Sequence, residues 1–233
     1  WSLRKAPALR DLERWQRELV SEWTNTDAVV VALVSGIAEE VLLPCMVILE
    51  AHYISHFMEP VDVPDQALVD GFVPPVNLPR RFDVDNPGYV MPTVNQKQFM
   101  EFKRLSQEAM DLALDVVKRV DGEFGETFGR QYGLIEEIDT EDAEILLVTT
   151  ASITSTARVA LTELRKQGVK AGLLKIRLFR PFPVGALREA AGRAPRIAVI
   201  ERNISSGREG IFCSELKASL IHNPTKPQVY GYL

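Results

Sequence analysis

The clearest pattern along the chain is the alternation of short apolar runs with amphipathic stretches in its last ninety residues. Four apolar runs of strand length predict β-strands, and the intervals between them have the apolar spacing of helices. The predicted strands are 144–149, 170–178, 196–201 and 228–232, and the predicted helices are 153–167, 184–191 and 210–221. Alternating units of this length are typical of a parallel sheet covered by helices on both faces, so the sequence predicts an α/β domain over 138–233.

Two amphipathic helices are predicted earlier, where apolar residues recur at steps of three and four. The first carries Leu9, Leu12, Trp15, Leu19 and Trp23; the second carries Phe99, Phe102, Leu105, Ala109, Ala113, Val116 and Val120. Four glycines between Gly122 and Gly133 are expected to open the second helix into a turn. Residues 26–40 are also predicted to be helical. The branched apolar run 41–50 predicts a strand, which Pro44 confines to an edge or a bulge.

A proline-rich segment, residues 58–96, separates these two parts of the chain. Seven of the fourteen prolines lie between Pro60 and Pro92. Proline fixes φ and has no N–H to donate, so the segment is predicted to be an extended arm rather than a helix or an interior strand. Its apolar side chains are too many for a solvated linker, so we expect them to lie against a surface, either that of the two flanking modules or that of a partner subunit.

Composition narrows the class of protein. Apolar residues make up 46% and charged residues 25%, which is ordinary for a globular domain, and no apolar run approaches the length of a membrane-spanning helix. The net charge of −5 argues against binding to nucleic acid. Cys45 and Cys213 form no CxxC motif, which excludes an intrinsic iron–sulfur site and favours the cytoplasm. We expect neither a nucleic acid nor a membrane as partner.

Two loops at the predicted carboxyl ends of strands are candidates for ligand binding. The candidate residues are Ser152, Thr154, Arg202, Asn203, Gly207 and Gly210. The hydroxyl and backbone N–H groups of the first loop could hold an anion such as phosphate, or the hydroxyls could simply cap the next helix. In the second loop the GxxG could let the backbone approach a ligand, or merely satisfy turn geometry. The phosphate motifs GxGxxG and GxxxxGK[ST] are absent.

Other chemically suggestive residues have simpler interpretations. His52, His56 and Glu59 have a spacing that could bind a metal, but two histidines hydrogen-bonded at a subunit boundary explain them more simply. Ser55 beside His56 lacks the motif of a nucleophile. The string Arg177–Pro183 could recognise an anion, but it is more consistent with an architectural turn in which Phe182 is buried. The sequence therefore predicts no catalytic residue and no metal ligand.

Several strings, taken together, resemble the alpha subunit of the pyruvate:ferredoxin oxidoreductase family. They are Ser55–Val61, Pro64–Gln66, Phe72–Pro75, Glu123–Arg130, Tyr132–Glu137, Thr140–Glu144, Phe179–Pro183 and Arg202–Ser205. The resemblance covers about residues 41–233. The family has an Asp-Gly-aromatic string where this chain has Glu50-Ala51-His52-Tyr53. Since the chain opens on Trp1 and closes on an apolar stretch, we expect it to be part of a longer subunit.

The resemblance implies a domain organisation. Residues 1–57 would be the C-terminal part of a pyrimidine-type thiamine-binding domain, and 58–96 the extended arm. Residues 97–137 would be a long helix and connector. Residues 138–233 would form a truncated domain like the C-terminal domain of transketolase, with a parallel sheet.

The resemblance also implies a function. Enzymes of this family oxidise 2-oxoacids, here pyruvate by expectation, to acyl-CoA and pass the electrons to ferredoxin. Thiamine diphosphate, Mg²⁺, [4Fe-4S] clusters and coenzyme A belong to the parent complex, which also contains beta, gamma and delta subunits and a second copy of the assembly. The family's catalytic groups have no counterpart in this chain. We therefore expect the chain alone to bind no cofactor, to be inactive, and to serve mainly in subunit packing.

Two alternatives are open at this point. A transketolase or a 2-oxoacid dehydrogenase component could share the second domain, although the arm and the string Glu123–Arg130 argue against it. A non-catalytic interaction module could have kept the fold without the cofactor-binding half.

Overall fold

The computed structural model describes residues 36–48, 64–73, 84–87 and 93–233. The chain divides into two compact units. The first comprises Trp1–Asp27, Ile48–Val63 and Tyr132–Leu233, and the second comprises Ala28–Val47 and Pro64–Gln131. The predicted helix between Leu9 and Trp23 lies outside the described residues, as do the three residues considered above as metal ligands and most of the proline-rich arm.

The described part of the second unit contains the helices α1 (Gln66–Phe72) and α2 (Gln96–Phe128). Helix α2 begins with a capping box, in which Asn95 Oδ1 accepts from Gln98 N at 3.1 Å and Gln98 Oε1 accepts from Asn95 N at 3.2 Å. The expectation that the helix opens at Gly122 is wrong. The aromatic rings of Phe124 and Phe128 each pack on Phe72, with ring centroids 5.5 Å apart, and this packing carries the helix on to Phe128.

Two further predictions in this unit are corrected. Helix α1 lies inside the segment that was expected to be wholly extended, because the seven residues between Pro64 and the Pro74–Pro75 pair that form it contain no proline. Residues 36–41 are helical and 42–48 have no regular structure, although 41–50 was predicted to be a strand. Leu42 has a φ of 53°, which turns the chain out of the helix just before Pro44.

The described part of the first unit is built on a five-stranded sheet flanked by three helices. The strands are β1 (Ile135–Ile138), β2 (Ile145–Thr149), β3 (Ala171–Ile176), β4 (Arg196–Ile200) and β5 (Gln228–Tyr232), and the helices are α3 (Ile153–Lys166), α4 (Val184–Ala191) and α5 (Ile211–Leu220). The strand order is β1-β3-β2-β4-β5. The four predicted strands are confirmed and run parallel to one another, whereas β1 pairs antiparallel with β3. The sheet is therefore mixed and not purely parallel as predicted.

The core of this unit lies on both faces of the sheet. Alternate residues of β3 separate the two faces: Leu173 packs with Ala157 and Leu161 of α3, whereas Leu174 belongs to the cluster that includes α4 and α5. All six residues of β3 are buried, as expected for an inner strand between β1 and β2. Neither α2 nor any other helix in the described parts of the chain is long and apolar enough to span a membrane.

Phe182 gives a first test of this packing. Contrary to expectation, the side chain is only half-buried, although it packs on the main core cluster beneath the Arg180 guanidinium. We expect Phe182→Ala to lower the free energy of unfolding by about 1–2 kcal/mol, because only part of the ring's surface is removed from water. The fully buried Leu187 is the control, and Leu187→Ala should cost about 3 kcal/mol or more in urea unfolding. Equal losses from the two variants would contradict the half-buried position of Phe182.

Candidate functional site

The carboxyl edge of the sheet contains a topological switch point between β2 and β4. From β2 the chain passes through α3 to β3 on one side, and from β3 through α4 to β4 on the other side of β2. Val148 and Val199 are directly paired near these strand ends. In open α/β sheets such a point is where ligands usually bind. The six candidate residues all lie after one of these two strands.

After β2, hydroxyl side chains tie the strand to the first turn of α3. Thr149 and Thr154 are both buried, and their Oγ1 atoms are 3.0 Å apart in a hydrogen bond. Ser152 occupies the N-cap position, but its side chain makes no capping bond to α3. Ser155 Oγ is buried and has no hydrogen-bond partner. The Thr154 hydroxyl is therefore used to join β2 to α3. A capping role for the Ser152 hydroxyl, the simpler of the two interpretations from the sequence, is not what the structure shows.

After β4, a carboxylate of the chain itself occupies the amino end of α5. Glu201 is only 2% exposed. Its Oε2 accepts from Phe212 N and its Oε1 from Cys213 N, both at 3.0 Å. These are two of the N–H groups that a helix leaves without a partner at its start, and they favour negative charge. Glu201 thus fills the position where a ligand anion would bind to this helix.

Two of the predicted ligand-binding residues support this carboxylate. Asn203 donates through Nδ2 to Glu201 Oε2 at 2.6 Å and accepts from Ile211 N at 2.9 Å through Oδ1. A Cβ on Gly210 would lie 1.9 Å from Glu201 Oε1, so only glycine leaves room for the carboxylate there. Glu201 itself was not among the residues predicted from the sequence. The pattern that could have identified it is an acidic residue directly after a strand, with an asparagine two residues later and a helix beginning at Ile211.

The other two candidates of this loop, Arg202 and Gly207, are exposed. Gly207 has a φ of 81°, in a turn closed by the bond from Arg208 N to Ser205 O at 2.8 Å. This left-handed conformation accounts for the glycine.

Cys213, at the start of α5, lies close to Glu209 and Lys217. Burial, and then the hydrogen bond from its thiol to Glu209 at 3.4 Å, raise the pKa of Cys213 to about 11. The hydrogen bond from Lys217 lowers the pKa of Glu209. Since a thiol needs to ionise before it can act as a nucleophile, Cys213 is a structural residue at neutral pH.

A second polar cluster lies on the α3 face of the sheet. Glu136 of β1 accepts from Arg158 Nη2 at 2.6 Å and from Arg177 Nη2, and it pairs across the strands with buried Lys175. Burial of the Glu136 carboxyl would raise its pKa, but the charges of Arg177 and Arg158 outweigh this effect and hold the pKa below its ordinary value. Arg177 is thus engaged in an ion pair within the fold, which supports the architectural interpretation of its string.

Thiamine diphosphate with its Mg²⁺ does not fit this edge of the sheet. The helix end that would receive a diphosphate holds Glu201, and two anions at one helix end repel each other. Within 36–48, 64–73, 84–87 and 93–233, no three His, Cys, Asp or Glu side chains come together as a metal site. The described residues therefore assign no step of chemistry to that cofactor.

Comparison with protein families identifies the class to which this fold belongs. Residues 18–121 match the model of the thiamine diphosphate-binding domain of pyruvate flavodoxin/ferredoxin oxidoreductases, and residues 143–233 match the model of pyruvate:ferredoxin oxidoreductase core domain II. The chain belongs to the pyruvate:ferredoxin oxidoreductase family, within which it falls among the alpha subunits. The resemblance found in the sequence is confirmed, and the transketolase alternative is not supported.

Individual relatives agree with this assignment. The chain is 38% identical over 194 residues to the pyruvate synthase subunit PorA of Methanothermobacter thermautotrophicus, covering 83% of this chain and 50% of the relative. It is 39% identical over 199 residues to the ketoisovalerate oxidoreductase subunit VorA of Pyrococcus abyssi, covering 84% and 50%. The chain thus spans about half the length of these relatives.

A solved structure is also similar. It is the 2-oxoglutarate:ferredoxin oxidoreductase from Magnetococcus marinus with 2-oxoglutarate, coenzyme A and succinyl-CoA bound. The likeness has a TM-score of 0.44 at 18% identity and covers 70% of this chain and 26% of that chain.

Proposed function

We propose that this chain is a segment of the alpha subunit of a multi-subunit 2-oxoacid:ferredoxin oxidoreductase. The reaction is the oxidative decarboxylation of a 2-oxoacid, pyruvate in the first place, to acyl-CoA with electrons passed to ferredoxin. The observation that carries the proposal is the presence of both family domains, in order, in one chain. Thiamine diphosphate, Mg²⁺, [4Fe-4S] clusters and coenzyme A would be held by the assembled cytoplasmic complex, with its beta, gamma and delta subunits.

Within that complex, the described residues serve mainly in structure and subunit packing. Three observations support this role. Glu201 occupies the helix end at the switch point, the Cys213 thiol stays protonated at neutral pH, and Arg177 is bound to Glu136. Glu201, Cys213 and Arg177 are therefore committed to the fold.

The proposal predicts a sharp difference between the isolated chain and the assembled enzyme. The isolated chain should bind no thiamine diphosphate in calorimetry with Mg²⁺ and should turn over no 2-oxoacid. The complex that contains it, together with coenzyme A and pyruvate, should reduce ferredoxin. A parallel assay with 2-oxoisovalerate, the substrate named for the VorA relative, distinguishes the two substrate types.

Each outcome of this experiment has a definite meaning. Micromolar binding of the cofactor by the isolated chain would contradict the structural role of the segment. A complex that assembles but reduces ferredoxin with neither 2-oxoacid would contradict the enzymatic function and favour the non-catalytic interaction module.

A further inference from the structure

We draw no further inference here: the strongest candidate, the exposed apolar face of the amino-terminal half of α2 at Phe102, Leu105 and Leu112, carries no proposal, because its acidic neighbours are paired with Arg104 and Lys118 of the same helix and nothing in the described residues shows what covers this face.

Discussion

The Glu201→Ala variant is expected to lose about 3–5 kcal/mol of the free energy of unfolding. The Glu201 carboxylate is buried and accepts from two backbone N–H groups of α5 and from the side chain of Asn203. Hydrogen bonds to a charged group contribute about 1.5–3 kcal/mol each, and the donors left behind would be buried without an acceptor. Filling the space with water recovers part of this loss, so the total is less than the sum of three bonds. Urea unfolding followed by circular dichroism measures the effect.

The neighbouring acid Glu209 supplies the control for this prediction. Glu209 is also at the start of α5 but pairs with the exposed Lys217, so Glu209→Ala should cost no more than about 1 kcal/mol. Glu201→Gln should fall between the two, because the amide keeps one acceptor oxygen but turns an NH₂ group toward the helix N–H groups. If Glu201→Ala and Glu209→Ala are equally stable, Glu201 is not the group that fixes the start of α5.

Glu201 also shows why the candidate site was only partly predictable. Strand and helix periodicity correctly placed two polar loops at the carboxyl ends of β2 and β4. Residue types alone could not decide whether the free N–H groups of α5 bind a ligand anion or an acidic side chain of the same chain. The choice depends on how far Glu201 lies from Phe212 and Cys213 in space, which follows from the path of the ten-residue loop between β4 and α5.

Strand β1 was not predicted from the sequence for a similar reason, namely that it depends on contacts with residues distant along the chain. The central strands were predictable because their apolar runs are long and each is followed by a periodic helix. Strand β1 has four residues, two of them glutamates, and such a run has no apolar pattern of its own. It pairs with β3 through its backbone, and Glu136 meets arginines from α3 and from just after β3, which lie 22 and 41 residues away along the chain. Contacts at this distance leave no local signal.

These arginines make Glu136→Ala the second variant with a large expected effect, a loss of about 3 kcal/mol in the free energy of unfolding. The side chains of Arg158, Arg177 and Glu136 are 15%, 17% and 26% exposed, so the ions are largely removed from water. Removing one member of a buried ion pair costs about 3–5 kcal/mol because it leaves the remaining charge uncompensated. In Glu136→Ala the guanidinium groups of Arg158 and Arg177 would face each other without a carboxylate between them. Because all three side chains are partly exposed to water, we expect a loss near the lower end of that range, about 3 kcal/mol. The exposed pair of Glu137 with Arg193 is the control, and Glu137→Ala should cost about 1 kcal/mol or less.

The pH dependence of stability tests the same cluster through its charge. The arginines lower the pKa of Glu136 from its ordinary value of 4.5, so the folded protein holds this proton less tightly than the unfolded chain does. The stability that Glu136 contributes is therefore fully present above pH 4.5 and is lost as the pH falls through the lowered value. Wild-type protein should lose stability more steeply than Glu136→Gln below pH 4.5, and the two curves should run parallel near neutrality. Curves that stay parallel at acid pH would mean that the arginines do not stabilise the Glu136 carboxylate, and that β1 is held to the sheet by its backbone ladder alone.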